Sequence, residues 1–133
     1  MIEFRHIAAA AAALAVSFAL PAAAAQIRDY DQVTFDAAIA QGKPVLVDVA
    51  AWWCPVCWSQ RGTISNTVKD NHAFDDLLIL HVSFDHQRPV WKSFGVTRQA
   101  TLIGYDHGQE VGRLAFVTDK DQINALLATT VKP

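Results

Sequence analysis

One nearly unbroken apolar run, PVLVDVAA at residues 44–51, constrains the fold of this chain more than any other stretch. A strand with one solvent-facing side alternates apolar and polar residues, whereas a continuous apolar run is typical of a strand buried on both faces of a sheet. A second run, LLILHVSF at residues 77–84, has the same character. Because both faces of such strands must be covered, the sequence predicts an α/β protein with helices on either side of a sheet.

Two helices are predicted around the first strand. The segment VTFDAAIAQGK precedes it, with Thr34 as the predicted N-cap and Gly42 as the residue that ends the helix. A second helix is predicted over residues 54–69. We expect Trp58 and Ile64 to face the core from this helix, and Gly62 to be a weak point or kink in it.

The remaining segments complete the predicted order of elements. RPVWKSFGV predicts a short helix ending at Gly95, and ATLIGYDHGQEVGRLAFV predicts two strands around a turn at residues 106–109. TDKDQINALLATT predicts a closing helix capped by Thr118 or Asp119, with three core-facing residues, Ile123, Leu126 and Leu127. The order helix, strand, helix, strand, helix, hairpin, helix gives a parallel βαβ core with an antiparallel finish.

Residues 1–25 have the pattern of a secretory signal peptide. A short start with Arg5 and His6 precedes an apolar run that Pro21 breaks, and four alanines follow, ending at Ala25. The run of about fourteen apolar residues is shorter than the roughly 20 that a membrane-spanning helix needs. We therefore expect cleavage after Ala25, one mature domain over residues 26–133, and a periplasmic location.

The charge of the chain narrows its range of partners. The formal net charge is −2, and residues 1–25 carry one base and one acid, so their removal leaves it unchanged. The sequence has no Lys/Arg run or basic patch of the kind that nucleic-acid binding requires. It also has no GxxxxGK[ST] or GxGxxG phosphate loop. We therefore expect no nucleic-acid partner.

Cys54 and Cys57 are the only cysteines, and they allow three interpretations. A structural disulfide closing so short a loop would contribute roughly 2 kcal/mol, against about 4.7 for a hundred-residue loop. A metal site would be half built, with His81 and His86 as the nearest further ligands. A redox dithiol fits better, because Cys54 would lie at the amino end of a helix, where unpaired N–H groups favour a thiolate.

The residues around the cysteines resemble the thioredoxin superfamily. That family has a buried strand carrying an aspartate, followed by Trp-Cys-x-x-Cys, and here VLVDVAAWWCPVC supplies both. FGVTRQATLIGYDHGQEVGR is similar to the family's later strand–turn–strand block. The resemblance covers nearly all of residues 26–133 and implies a thioredoxin-like fold, a central mixed β-sheet flanked by helices.

The resemblance also implies roles for individual residues. Cys54 would attack a substrate disulfide, and Cys57 would resolve the mixed disulfide, leaving a Cys54–Cys57 disulfide. Asp48 would lie beneath Cys57 as a buried proton acceptor, although a purely structural carboxylate is the alternative. His81 falls where family members often have a lysine paired with that aspartate.

Substrate contacts are implied at Trp53, at Pro55 and in the loop of Gln99 and Ala100. The family's cis-proline, which helps to dock substrate and to exclude metals, is replaced by Ala100. Because a non-proline cis bond costs about 2.5–4 kcal/mol, we expect a trans Gln99–Ala100 bond, a rebuilt loop and a narrower set of partners. On this reasoning Ala100→Pro would restore broader disulfide reduction.

The sequence thus predicts an exported thiol–disulfide oxidoreductase, monomeric and without a metal or other cofactor, acting on protein thiols and disulfides. By resemblance it would act as a reductase, kept in the dithiol form by a membrane electron donor. The alternative is a redox-inactive module of the same fold that binds a soft metal or holds a partner with Trp52, Trp53 and Trp58.

Overall fold

The secondary structure follows the predicted order, with one additional strand at the start. The computed structural model describes residues 15–17 and 24–133. Its elements are β1 (Gln26–Asp29), α1 (Gln32–Ala40), β2 (Val45–Ala50), α2 (Pro55–Val68), a 3₁₀ turn (His72–Phe74), β3 (Leu78–Ser83), α3 (Arg88–Ser93), β4 (Thr101–Asp106), β5 (Gln109–Ala115) and α4 (Lys120–Thr130). Among the described residues, none of the helices has the length and apolar character needed to cross a membrane.

The five strands form one mixed sheet in the order β1-β3-β2-β4-β5. β2 runs parallel to β3 and antiparallel to β4, so it lies at the centre. All six residues of β2 are buried, which confirms the interpretation of the apolar run at residues 44–51. The sheet and its flanking helices confirm the predicted thioredoxin-like α/β fold.

Helices cover both faces of the sheet and create two hydrophobic cores. Alternate residues of β2 point to opposite faces. Val45, Val47 and Val49 pack in a core with residues of α1 and α3, including Ala38 and Trp91. Leu46 packs on the other side with residues of α2 and α4, including Ile64 and Leu127. The motif between β2 and α2 is therefore anchored by the most buried strand and by a helix packed on the sheet.

The hairpin and the closing helix agree with their predictions. β4 and β5 are joined by His107 and Gly108, with φ values of 48° and 77°, the left-handed geometry of a tight two-residue hairpin turn. α4 is capped by Asp119, whose carboxylate accepts the Gln122 N–H at 2.8 Å. Three residues on its inner face are buried as predicted, Ile123, Leu126 and Leu127.

Four details differ from the predictions. α1 starts three residues earlier than predicted, because Asp31 and not Thr34 is the N-cap, its carboxylate accepting the Thr34 N–H at 2.8 Å. Trp58 is 57% exposed, because its indole donates to Trp52 O at 2.8 Å and so lies over the preceding loop. The strand β1 was missed, because QIRD contains a single apolar residue and all four residues are exposed. Gly62 lies inside α2, which continues unbroken through it.

The predicted signal peptide falls almost entirely outside the described residues. Its proposed cleavage point, after Ala25, directly precedes the first residue of β1. The prediction for residues 1–25 therefore stays a prediction.

Candidate active site

The end of β2 delivers the cysteine motif to the start of α2. The Cys54 N–H donates to Ala51 O at 3.2 Å, which turns the chain into the helix. Cys54 is the N-cap residue of α2, and Pro55 follows it at the first helical position. A proline is favoured there because its fixed φ suits the first turn and its missing N–H would have had no partner in the helix. The predicted position of Cys54 at a helix amino end is confirmed.

The two cysteines are both free thiols and lie together in a small apolar cluster. The Cys57 N–H donates to Cys54 Sγ at 3.2 Å, the kind of contact that favours negative charge on this sulfur. Cys54 is 2% exposed and Cys57 is 1% exposed. The two cysteines therefore do not differ in exposure, because Ala50, Ala51 and Ala100 pack around both.

The asymmetry between the cysteines lies in their chemistry. Burial raises the pKa of the Cys57 thiol to about 12, and a hydrogen bond to Cys54 and the negative charge of Asp48 act in the same direction. Cys57 therefore stays protonated at neutral pH and needs a base before it can attack. Cys54, as the cap of α2, is the sulfur placed to carry negative charge.

Asp48 is fully buried and its carboxylate has one hydrogen-bond donor. Oδ2 accepts from Arg61 Nε at 3.2 Å, whereas Oδ1 has no partner in the described part of the chain. His81 is the residue opposite Asp48 on β3, and its Nδ1 lies 2.8 Å from Oδ2. At this distance the imidazole and the Asp48 carboxylate interact electrostatically. Nδ1 is nevertheless not aligned for a hydrogen bond and makes none.

Arg61 is a site residue that the sequence reasoning missed. It lies on α2 four residues after Cys57 and therefore on the same side of the helix. Its side chain is 43% exposed, so its charged end reaches solvent while Nε meets Asp48. The signal was available: an arginine at this helical spacing faces the strand that carries the only aspartate in an otherwise apolar run.

Arg61 and His81 also line an open cavity of about 480 Å³ at the carboxyl ends of β1 and β3. Other lining residues include Trp52, Asp85 and His86. The buried carboxylate of Asp48 thus has two neighbours that reach this cavity. Arg61 and His81 thus link the Asp48 carboxylate to solvent in this cavity.

The tryptophans before and after the cysteines form an exposed surface. Trp53 donates its indole N–H to the Asp85 carboxylate at 3.0 and 3.2 Å, which fixes its ring beside the motif. Trp52 is 77% exposed and Trp58 is also exposed. Pro55, between the cysteines, is exposed as well. These side chains are available to a partner at the active-site surface.

The loop opposite the cysteines is built differently from the predicted substrate loop. No cis peptide bond occurs in the described residues, so the Gln99–Ala100 bond is trans, as expected. Ala100 is fully buried and has a φ of 60°, in the left-handed region that non-glycine residues rarely adopt. Its N–H donates to Val49 O and its C=O accepts the Phe116 N–H, both at 2.8 Å.

These contacts correct the predicted role of Ala100. A fully buried residue whose backbone groups are both paired has nothing left to offer a substrate backbone. Gln99 is partly exposed, and neither its N–H nor its C=O is hydrogen-bonded within the described residues. Of the two predicted loop contacts, Gln99 remains the candidate.

A metal centre finds little support in the described residues. No three side chains of His, Cys, Asp or Glu come together there in a group that could hold a metal ion. His86 lies beyond the end of β3. It lines the same cavity as His81, away from the cluster that contains the two cysteines.

Comparison with known proteins gives one consistent family. A thioredoxin family model matches residues 26–129. A thioredoxin from Alicyclobacillus acidocaldarius subsp. acidocaldarius is 31% identical over 98 residues, which cover 74% of this chain and 91% of that protein.

Two solved structures illustrate the structural likeness. Trxlp from Edwardsiella tarda EIB202 superposes with a TM-score of 0.72 at 38% identity, covering 77% of this chain and 98% of that one. The oxidised thioredoxin from Plasmodium falciparum gives a TM-score of 0.64 at 22% identity, covering 80% and 98% of the two chains, which shows a shared fold.

Proposed function

The chain belongs to the thioredoxin family of thiol–disulfide oxidoreductases, and we propose that it reduces disulfides in exported proteins through Cys54 and Cys57. The observation that carries this proposal is the placement of the pair. Cys54 caps α2, Cys57 lies one turn further in, and a buried carboxylate lies on the adjacent strand.

The geometry supports an exchange in two steps. The Cys54 thiolate attacks a substrate disulfide, forms a mixed disulfide and releases the first substrate sulfur, which takes a proton. Asp48 then accepts the Cys57 proton, and the Cys57 sulfur attacks Cys54 Sγ, releasing the second substrate sulfur. Two electrons pass to the substrate, and the protein is left with a Cys54–Cys57 disulfide. A membrane dithiol donor would return it to the reduced form.

The reducing direction is tested by the reduction potential. Strong oxidants of this chemistry owe their potential to a stabilised reduced form. We expect a potential nearer the roughly −270 mV of thioredoxin than the roughly −120 mV of the oxidant DsbA. Equilibration with glutathione buffers measures it, and a value near the oxidant would contradict the direction.

The proposed activity is tested by insulin-disulfide reduction with the purified mature domain. Cys57→Ser should abolish turnover and accumulate mixed disulfides through Cys54, because the attacking sulfur remains and the resolving one is gone. Cys54→Ser, the matched control, should accumulate none. Trapping through Cys57 in place of Cys54 would reverse the assigned roles.

The redox-inactive alternative makes a different prediction in the same assay. The exposed rings of Trp52, Trp53 and Trp58 are the observation in its favour. Such a module would hold partners without reducing insulin, and its binding would survive replacement of both cysteines by serine. Loss of binding in that double variant would instead favour covalent exchange.

We also propose export, with cleavage after Ala25. The support is the signal-peptide pattern of residues 1–25 and the position of Gln26, where the first strand begins. The mature protein in a periplasmic extract should begin at Gln26, as read by N-terminal peptide mass spectrometry. A full-length chain retained in the cytoplasm would contradict the proposal. Size-exclusion chromatography with light scattering tests the proposed monomer.

A further inference from the structure

Gln60 is a fully buried polar residue on α2, one turn after Cys57. Its side-chain NH₂ group donates to Ala100 O at 3.1 Å and to Val117 O at 2.9 Å. These carbonyls belong to the two chain segments at the end of the β4–β5 hairpin, one before β4 and one after β5. One amide group therefore ties both segments to the helix that carries the cysteines.

The orientation of this amide is fixed by its partners. Both carbonyls are acceptors, so only the NH₂ side of the amide can satisfy them. The other side, Oε1, has no hydrogen-bond partner in the described part of the chain. A buried acceptor without a donor is unfavourable, and such exceptions call for a reason. Here the reason is the pair of hydrogen bonds that the NH₂ group makes.

The segments that Gln60 ties together have a strained backbone. Ala100 and Phe116 both have a φ of 60°, a left-handed conformation that side chains disfavour. The Phe116 N–H donates to Ala100 O at 2.8 Å, so the two strained residues are also linked directly. Strained conformations persist only where surrounding contacts hold them. Gln60 supplies two of those contacts from the helix.

Ala100 packs in the same cluster as Cys54 and Cys57. Gln99, whose backbone groups are free in the described structure, directly precedes it. A shift of this loop would therefore move the candidate substrate contact relative to the reacting sulfur.

We infer that Gln60 is a positioning residue for protein substrates, which holds the loop of Gln99 and Ala100 in register with Cys54. This inference rests on the proposed function. The hydrogen bonds of the Gln60 side chain go to Ala100 O and Val117 O, so it acts through the loop. The loop has a trans Gln99–Ala100 bond and no proline ring to restrict it. The two hydrogen bonds of Gln60 hold its conformation instead.

The test compares a large and a small substrate in Gln60→Met, which keeps the side-chain length but removes both donors. Reduction of insulin requires contacts between this protein substrate and the loop, whereas reduction of the small disulfide DTNB requires only the reactive sulfurs. Because small misplacements of binding groups affect reaction strongly, we expect the KM for insulin to rise about tenfold. The rate with DTNB should change less than about threefold, because the dithiol itself is unaltered.

Thr67→Val is the matched control. Like Gln60, Thr67 lies on α2, but it is away from the loop. The substitution removes a partly buried hydrogen bond of 2.6 Å from Thr67 Oγ1 to Asn124 on α4. It should lower the melting temperature without raising the KM for insulin. An equal rise of KM in both variants would overturn the inference, as would a Gln60→Met protein with unchanged KM or with equal losses on both substrates.

Two further results keep the outcomes distinguishable. If the wild type reduces neither substrate, the proposed function fails and this inference fails with it. If Gln60→Met does not fold, hydrogen exchange in the wild type decides. The Gln60 side-chain amide protons and the Ala100 and Phe116 N–H groups should exchange as slowly as the Ile103 N–H in β4. Fast exchange of the Gln60 amide would overturn the inference.

Discussion

The buried carboxylate of Asp48 is compensated by individual side chains, those of Arg61 and His81. A lone carboxylate in an apolar strand is strongly unfavourable unless it is paired. Arg61 donates to Asp48 from the side of α2, and His81 lies next to it from β3. Because the Arg61 side chain is partly exposed, it can return to solvent when its partner is lost. The charge of Arg61 thus compensates that of the Asp48 carboxylate, and Arg61 itself is not fully buried.

We predict that Asp48→Asn slows insulin reduction at neutral pH. The amide cannot accept the Cys57 proton, so the resolving step loses its base, and general base catalysis typically contributes about 10²–10⁴-fold. The free energy of unfolding should fall by no more than about 1 kcal/mol, or it should rise, because a buried charge is removed and Arg61 can be solvated. Stopped-flow rates of mixed-disulfide resolution and urea unfolding measure the two effects.

The matched control is Asp121→Asn, the same substitution at an exposed position on α4. Its resolution rate should equal that of the wild type between about pH 6 and 8, since a distant exposed carboxylate contributes little. If Asp48→Asn behaves like the control, Asp48 has a structural role only.

At the scale of elements, the end of the β4–β5 hairpin is shaped by hydrogen bonds where the family has a proline. Ala100 uses its N–H to bind Val49 O at the end of β2. A proline has no N–H and its φ is fixed near −65°, whereas Ala100 has a φ of 60°. The expectation that Ala100→Pro would restore broader reduction is therefore incompatible with this loop.

We predict opposite stability effects for two substitutions at this position. Ala100→Pro should lower the free energy of unfolding by about 3 kcal/mol or more, because it removes a buried hydrogen bond and cannot adopt the native φ. Ala100→Gly should change it by less than about 1 kcal/mol, since the relief of left-handed strain offsets the lost methyl group and the added backbone entropy.

Urea unfolding measures both variants, with Ala38→Gly as the control. Ala38 is buried in α1, within a regular helix, so glycine there brings entropy cost and no relief. It should lose about 1 kcal/mol from propensity and additional free energy from the lost packing. Equal losses for Ala100→Gly and Ala38→Gly would contradict the strain at Ala100.

At the scale of the whole molecule, raised pKa values of thiol and phenol groups make the stability of the protein depend on pH in the alkaline range. The Cys57 pKa rises from 9.0 to about 12, first through burial. The pKa values of Tyr30 and Tyr105 are also raised, again mainly by burial. In each case the unfolded chain releases its proton at a lower pH than the folded protein. The folded state therefore binds more protons in this range, and its stability must fall as pH rises.

We predict that the reduced protein loses stability from about pH 9 upward, with the Cys57 contribution fully lost by about pH 12. Urea unfolding under reducing conditions at a series of pH values measures the decline. Cys57→Ser should show a shallower decline, because only the tyrosine contributions remain. An identical profile for Cys57→Ser and the wild type would contradict the raised pKa.

The sequence by itself determined the parts that depend on local chemistry and spacing. The unbroken apolar run placed the central strand, Cys54 was identified as the start of α2, and the turn residues placed the hairpin. These succeeded because periodicity, capping and turn geometry are properties of neighbouring residues. QIRD failed as a strand prediction for the same reason, since an exposed edge strand takes its conformation from its neighbour β3 and not from its own pattern.

Only the tertiary structure decided which distant groups meet. Arg61 pairs with Asp48 across thirteen positions, and Gln60 reaches Ala100 and Val117 across forty and fifty-seven. The burial of Cys54 and the left-handed backbone of Ala100 likewise follow from contacts made after the chain has folded. Sequence spacing specifies the face on which a side chain lies, but the partner on the opposing surface is set by how the helices and strands pack.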